Sequence, residues 1–212
     1  MYRIILASGS PRRKEIMRQM GICFETIPSQ VKEDIKEENP SKMVEALASL
    51  KAKEVAARLK HERDNLIIIG ADTVVHHKGH VLGKPKDRDD AARMLKEISD
   101  DVHDVYTGVS IIIRRNGGNE EPEPEDENIV FSVRTRVTVK KLAEDEIEEY
   151  IASGEPFDKA GAYAIQGRFG IYIKEINGDY YNVVGFPIAK IYEELRARGI
   201  NIKNLKKVLH KI

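Results

Sequence analysis

The cations Arg12, Arg13 and Lys14 directly follow Ile4-Ile5-Leu6-Ala7-Ser8-Gly9-Ser10-Pro11. A short apolar run thus passes through a turn of small residues to a proline. Proline suits the first position of a helix, where no amide donor is wanted, and Ser10 is placed to cap it. Three cations in the first turn oppose the helix macrodipole, at a cost of roughly 0.3–1 kcal/mol each when exposed. An anion would compensate. The free amides of the helix start, the hydroxyls of Ser8 and Ser10 and two guanidiniums together make a phosphate cradle. The competing reading is a solvated cationic helix end.

Asp72 closes the apolar run Leu66-Ile67-Ile68-Ile69-Gly70-Ala71. A carboxylate at the end of a buried strand must be solvated, paired or bound to metal, and the ligand sites of open α/β sheets gather at such ends. Glu33 and Asp34 offer further carboxylates; hard oxygen ligands plus substrate phosphates are the usual way a protein holds Mg²⁺. Lys51 and Lys84 are isolated lysines that either join the anion site or lie on the surface. His76, His77 and His80 resemble a metal cluster in spacing, but adjacent strand residues point to opposite faces, so exposed histidines are expected there rather than a zinc site. His103 reads equally as a packed strand histidine or an orienting group. The Walker loop, the dinucleotide glycine fingerprint, the zincin helix motif and the serine-hydrolase elbow do not occur.

The elements that must position these residues follow from periodicity. Strands are expected at about residues 2–7, 23–27, 66–75, 80–82, 102–113 and 129–139, and helices at about 11–20, 40–60, 88–98, 143–152 and 187–197. Asn39-Pro40 and Asp87 are helix-start signals, and Lys78-Gly79 marks a hairpin. Ile171–Ile176 and Tyr180–Val184 read as a second hairpin across Asn177-Gly178. Residues 116–128 read as an exposed acidic hairpin loop, and residues 203–212 as a short basic helix. Gly161, Gly167 and Gly170 fall within 158–170, where backbone is expected to pack tightly around something.

The totals set limits. A chain of 212 residues suits one large α/β domain or two small lobes and is long enough for a real core. Lys+Arg and Asp+Glu both number 35, and a neutral chain argues against a nucleic-acid polymer as partner, while a small anion needs only a local positive pocket. A single cysteine, Cys23, excludes an intrachain disulfide and a Cys-based zinc site, and is expected as a small buried side chain. The apolar run before Ser8 is too short for a signal-peptide core, and no run approaches a membrane span, so a cytoplasmic protein without membrane association is expected.

The sequence resembles the Maf family of nucleoside triphosphate pyrophosphatases, also called septum-formation inhibitors. The match runs from about residue 3 to 198. It is carried by Ala7-Ser8-Gly9-Ser10-Pro11-Arg12-Arg13, Gly70-Ala71-Asp72-Thr73, Gly83-Lys84-Pro85, His103-Asp104-Val105-Tyr106-Thr107-Gly108, Asp158-Lys159-Ala160-Gly161-Ala162-Tyr163, Ile165-Gln166-Gly167 and Val183-Val184-Gly185-Phe186-Pro187. The resemblance implies a single α/β domain with a mixed, strongly twisted sheet, flanking helices and two lobes around a cleft, similar to the inosine triphosphatase fold. It implies hydrolysis of a nucleoside triphosphate to the monophosphate and pyrophosphate, a divalent metal cation (Mg²⁺ or Mn²⁺) and a homodimer. By position, Asp72 matches the family's proton acceptor. Arg12, Thr73 and Gln166 match the positions tied to base selection in the dTTP/UTP branch. Ser8, Arg13, Glu33, Lys51 and Lys84 match phosphate or metal contacts, with Glu33 and Asp72 taken as the metal carboxylates. The alternatives are a nucleotide-sensing regulator of septum formation that does not turn over its ligand, and a pyrophosphatase of the 7-methyl-GTP type.

Overall fold

A computed structural model of the chain describes residues 2–116 and 126–204. Most of the expected acidic loop and nearly all of the expected C-terminal helix lie outside the described residues. The strands are β1 (Tyr2–Leu6), β2 (Glu25–Thr26), β3 (Asn65–His77), β4 (His80–Leu82), β5 (Val102–Arg114), β6 (Glu127–Val139) and β7 (Ile173–Asn177). The helices are α1 (Pro11–Gln19), α2 (Pro40–Arg58), α3 (Arg88–Ile98), α4 (Glu144–Ala152), α5 (Tyr180–Val184) and α6 (Ile188–Arg196), with short 3₁₀ turns between residues 155 and 172. Among the described residues, no helix is long and apolar enough to cross a membrane.

The sheet is mixed, in the order β2-β1-β3-β5-β6-β7, with β4 paired to β3. β2, β1 and β3 run parallel, and every other pairing is antiparallel. β3 and β5, each 13 residues long, form the spine. Their alternation sorts side chains into separate cores. Ile67, Ile69 and Ala71 of β3 join Val109, Ile111 and Ile113 of β5 beneath α1 and α6. Leu66 and Ile68 pack on the opposite face against Ala52 and Val55 of α2. Further along the same strands, Val75 and Val105 belong to a second lobe with α3 and α4. Asp72 and Thr73 therefore stand where one core ends and the next begins.

α2 lies unusually close to the sheet. A Cβ on Gly70 would come within 2.5 Å of the Ala48 carbonyl, and one on Gly108 would overlap the Val44 carbonyl. Gly108 faces Asp72 directly across the β3–β5 ladder. The paired absence of side chains lets the helix sink onto the strands at this level. Asn39 starts α2 by accepting hydrogen bonds from the Ser41 and Lys42 amides at 3.0 and 3.2 Å, and Asp87 caps α3 through the Asp90 amide at 2.8 Å.

Several expectations are corrected. Tyr180–Val184 is a helix, not a strand. The Asp179 carboxylate accepts from the Tyr181 amide at 2.7 Å, and this cap, with the left-handed Gly185 at the far end, overrides the β propensity of a short apolar run. Ser10 precedes α1 but makes no side-chain cap bond; its amide instead donates to Ser8 Oγ at 3.3 Å. Cys23 is exposed rather than buried. His77 is buried rather than exposed: its Nδ1 lies 3.0 Å from Glu97 and its Nε2 3.1 Å from Asp101. Those two carboxylates clip the β3–β4 hairpin to the end of α3 and the start of β5. Among the described residues no group of three or more His, Cys, Asp or Glu is placed to hold a metal ion.

Gly108→Ala should destabilise the protein by about 3 kcal/mol, the upper range for overpacking, because the new methyl meets backbone that cannot rotate away. Urea unfolding monitored by circular dichroism measures this, and the unfolding midpoint should fall with its slope unchanged.

Candidate active site

A cleft of about 670 Å³ opens between the two lobes. Its lining includes Ser8, Arg12, Arg13, Glu33, Lys51, Asp72, Thr73, Lys84 and Gln166, so the residues matched by resemblance, scattered from the first turn of α1 to residue 166, surround one space. Asp72 and Thr73 lie on opposite faces of β3, as strand neighbours must. Asp72 turns toward α2, where Lys51 Nζ meets its Oδ1 at 2.6 Å. The same ammonium meets Glu33 Oε1 at 2.8 Å. Lys51 and Asp72 are both 12% exposed at the side chain, whereas Glu33 is 53% exposed. Two carboxylates thus converge on one cation at the cleft wall.

Arg13 ties the cleft together. Its Nε donates to the Gly185 carbonyl at 2.9 Å. Nη1 donates to Ser8 Oγ at 2.9 Å and to the Ala71 carbonyl at 2.8 Å. Nη2 reaches Thr73 Oγ1 at 3.2 Å. One guanidinium therefore joins the turn before α1, the end of the β3 core segment and the α5–α6 turn. Burial pushes its pKa down from the ordinary value, and the negative charge of Asp72 opposes that shift. With these bonds made, a single N–H donor of Arg13 is left for a ligand. Thr107 Oγ1 donates to the Asn182 carbonyl at 3.0 Å, so Thr73, 3.0 Å from Thr107 Oγ1, must give its proton there. Thr73 thereby accepts from Arg13 and offers a ligand only an acceptor.

The remaining cations are less committed. Arg12 Nη1 makes one 3.4 Å contact to Asp158 Oδ2 across the mouth of the cleft. Lys84 and Gln166 are exposed, and neither makes a hydrogen bond or ion pair within the described residues. Asp158 and Lys159, which pair with each other, also line the cleft. Burial opposes the Asp158 charge, but Lys159 and Arg12 hold its carboxyl below the usual range. Sequence reasoning missed Asp158 and Lys159 as lining residues. The signal was present in the Asp158-Lys159-Ala160-Gly161 run, yet nothing local tells which of its side chains turns inward. Lys14 falls outside the lining.

Behind the cleft, His103 Nε2 lies 2.7 Å from the hydroxyl of Tyr163, a lining residue. His103 is 2% exposed and its Nδ1 has no partner among the described residues. Burial lowers its pKa to about 4. His103 is thus a neutral packing and orienting group at neutral pH.

Two outcomes follow from these contacts. Arg13→Lys keeps the charge but strands several buried acceptors, and should cost about 2–4 kcal/mol in chemical denaturation. For His103, the unfolded chain titrates near 6.5 and the folded chain near 4. Between those values the unfolded state binds the extra proton, so stability rises with pH through this window and is lost as pH falls, by up to roughly 3 kcal/mol. His103→Gln should flatten that part of the stability–pH curve, measured by urea unfolding at pH 4.5, 5.5 and 7.

The family model described as Maf-like protein matches residues 3–198. A dTTP/UTP pyrophosphatase of Lachnoclostridium phytofermentans is 48% identical over 202 residues, covering 95% of this chain and 98% of its own. Proteins of the same name from Agathobacter rectalis and Bacillus cereus are 46% and 44% identical, each over 95% of this chain and over 100% and 98% of their own. Among solved structures, a nucleoside-triphosphatase / dITP/XTP pyrophosphatase from Mycobacterium abscessus matches 94% of this chain and 95% of its own, at a TM-score of 0.42 and 15% identity, a loose likeness that bears on no residue of the cleft. With a family match across nearly its whole length and relatives this similar from end to end, the chain belongs to the Maf-like protein family.

Proposed function

We propose that the protein hydrolyses dTTP and UTP to the monophosphate and pyrophosphate. The observation that carries this reading is the convergence of Asp72, Lys51 and Glu33 in a cleft that Arg12, Lys84 and Gln166 also line. Relatives similar to this chain across its length bear the name of that activity.

A triphosphate is a polyanion, and the cleft offers it cations at three depths: Lys51 deep, the remaining donor of Arg13 behind Ser8, and Arg12 and Lys84 nearer the rim. Asp72, oriented by Lys51, accepts a proton from a water that attacks the α-phosphorus. The new P–O bond forms as the bond between the α-phosphorus and its bridging oxygen breaks, and pyrophosphate leaves with its charge met by the lysines and arginines. Gln166, with a free amide donor and acceptor, and Arg12 are the groups with capacity left to read a pyrimidine edge, while Thr73 supplies an acceptor only.

A divalent cation, Mg²⁺ or Mn²⁺, belongs to the proposal, and the residues fit one. Glu33 and Asp72 already reach a common point, occupied by the Lys51 ammonium. One or two carboxylates completed by substrate phosphates is the arrangement Mg²⁺ prefers over an all-protein cage. Held by the same carboxylates in place of the Lys51 ammonium, the cation would supply charge neutralisation at the phosphates. A homodimer, which the resemblance to the Maf family implies, and a cytoplasmic setting complete the proposal.

Purified protein with Mg²⁺ should release pyrophosphate from dTTP and UTP far faster than from ATP, GTP or 7-methyl-GTP, read by a coupled pyrophosphate assay. Asp72→Asn should lower kcat by about 10²–10⁴-fold, the usual worth of a positioned base, with an unchanged circular dichroism spectrum. Tight nucleotide binding by calorimetry without turnover would instead favour the nucleotide-sensing regulator, and preference for 7-methyl-GTP would favour the other pyrophosphatase type.

A further inference from the structure

We infer that Glu155 and Tyr150, which line no part of the cleft, form a clamp that sets the backbone carrying Gln166 and so fixes base selection. Their role rests on the reading of Gln166 as a base-reading group.

Gln166 sits between Ala164 and Arg168 on a segment without strand or α-helical structure, and its side chain has no partner among the described residues. The backbone on either side is held by one connected set of bonds. The Tyr150 hydroxyl accepts from the Ala164 amide at 3.2 Å and donates to Glu155 Oε1 at 2.9 Å. Glu155 Oε2 accepts from the Arg168 amide at 3.1 Å. The two carboxylate oxygens therefore fix the chain two residues before and two residues after Gln166, directly at one end and through the phenol at the other. Gly167 shows how tightly the carboxylate is seated, since a Cβ there would overlap the Glu155 carboxyl group.

The clamp itself is anchored. Tyr150 is 3% exposed on the inner face of α4, and its ring packs against Phe169 with centroids 5.1 Å apart. Phe169 in turn packs on Tyr163 at 5.0 Å. Ile165 contacts both principal cores. The base-reading segment is thus fastened at 163, 164, 168 and 169, leaving Gln166 to project from a rigid frame. Burial and the adjacent Glu155 both push the Tyr150 phenol up, so it remains a donor throughout the working pH range. A side chain that selects by hydrogen bonding must be placed to a fraction of an ångström, and such placement comes from the groups behind it.

Glu155→Gln is nearly isosteric and keeps the packing while removing one acceptor oxygen. Tyr150→Phe removes the phenolic link. For each, kcat/KM is measured for dTTP, UTP, dCTP and GTP, together with hydrogen–deuterium exchange of residues 163–169. Both variants should speed exchange at Ala164 and Arg168 and reduce the preference for dTTP over GTP by about tenfold, the usual worth of one hydrogen-bonded discrimination, mostly through KM for dTTP. Gly167→Ala should do the same in the wild-type background and add nothing in a Glu155→Ala background, where the overlapping carboxylate is gone. A folded Glu155→Gln protein with unchanged preference, or one that loses dTTP and GTP turnover equally, overturns the clamp. A Gln166→Ala protein that discriminates normally overturns the reading of Gln166 and the clamp with it, and wild-type protein that turns over no nucleotide in the panel overturns the activity itself.

Discussion

A single guidinium-bearing side chain, Arg13, connects the parts of this molecule that come from distant sequence. Its bonds to Ser8, Ala71, Thr73 and Gly185 join the first helix start, the middle of the longest parallel-paired strand and the turn before the last helix. A partly buried arginine is tolerated when most of its donors are satisfied, and here carbonyls and hydroxyls take four of the five. The cleft floor has its shape because those acceptors must come within reach of one planar group. The oddity of cations in the first turn of α1 finds half of its explanation in this architecture. Arg13 neutralises backbone dipoles of the protein itself, and Arg12, held loosely by Asp158, faces the cleft.

The opposite wall depends on a second constraint, the approach of α2. Without side chains at Gly70 and Gly108, the helix descends until Lys51 reaches Asp72 at 2.6 Å. The ion pair has little worth as a stabilising device, because burying both charges costs much of what their attraction returns. Its use is geometric. Lys51 holds Asp72 and Glu33 around one point, an arrangement suited to receiving a phosphate on the cation and a hard cation on the carboxylates. The lobes on either side then differ in character. The one built on α1 and α6 supplies the fixed floor, and the one built on α3, α4 and the 155–172 turns carries Gln166, Asp158 and Lys159.

Much of this was legible in the chain. The strand Leu66–Ala71 declares itself by continuous apolarity, Asp72 by its position at the end, and α2 and α3 by Asn39 and Asp87 at their starts. The failures have physical causes. Tyr180–Val184 has β-forming residues, but a capping aspartate and a left-handed glycine outweigh propensity over so short a run. His77 looked like a surface histidine because its alternation pattern says nothing about Glu97 and Asp101 arriving from two other elements. Cys23 looked buried because small apolar residues usually are, yet the strand expected at 23–27 is only Glu25–Thr26, which leaves Cys23 outside the sheet.

The sequence alone determined the inventory of the cleft: which cations, carboxylates and amide side chain exist, and which of them end a buried strand or open a helix. Those are local properties, set by periodicity, capping and residue type. Only the tertiary structure decided how each was used. Arg12 and Arg13 are neighbours of the same type, yet one is almost fully spent on the protein and the other faces the cleft. Thr73 commits its hydroxyl as a donor to Thr107, a residue that meets it only because β3 and β5 pair in one register. Hydrogen-bond capacity is finite, and what a side chain has left for a ligand depends on which acceptors the fold has already brought to it.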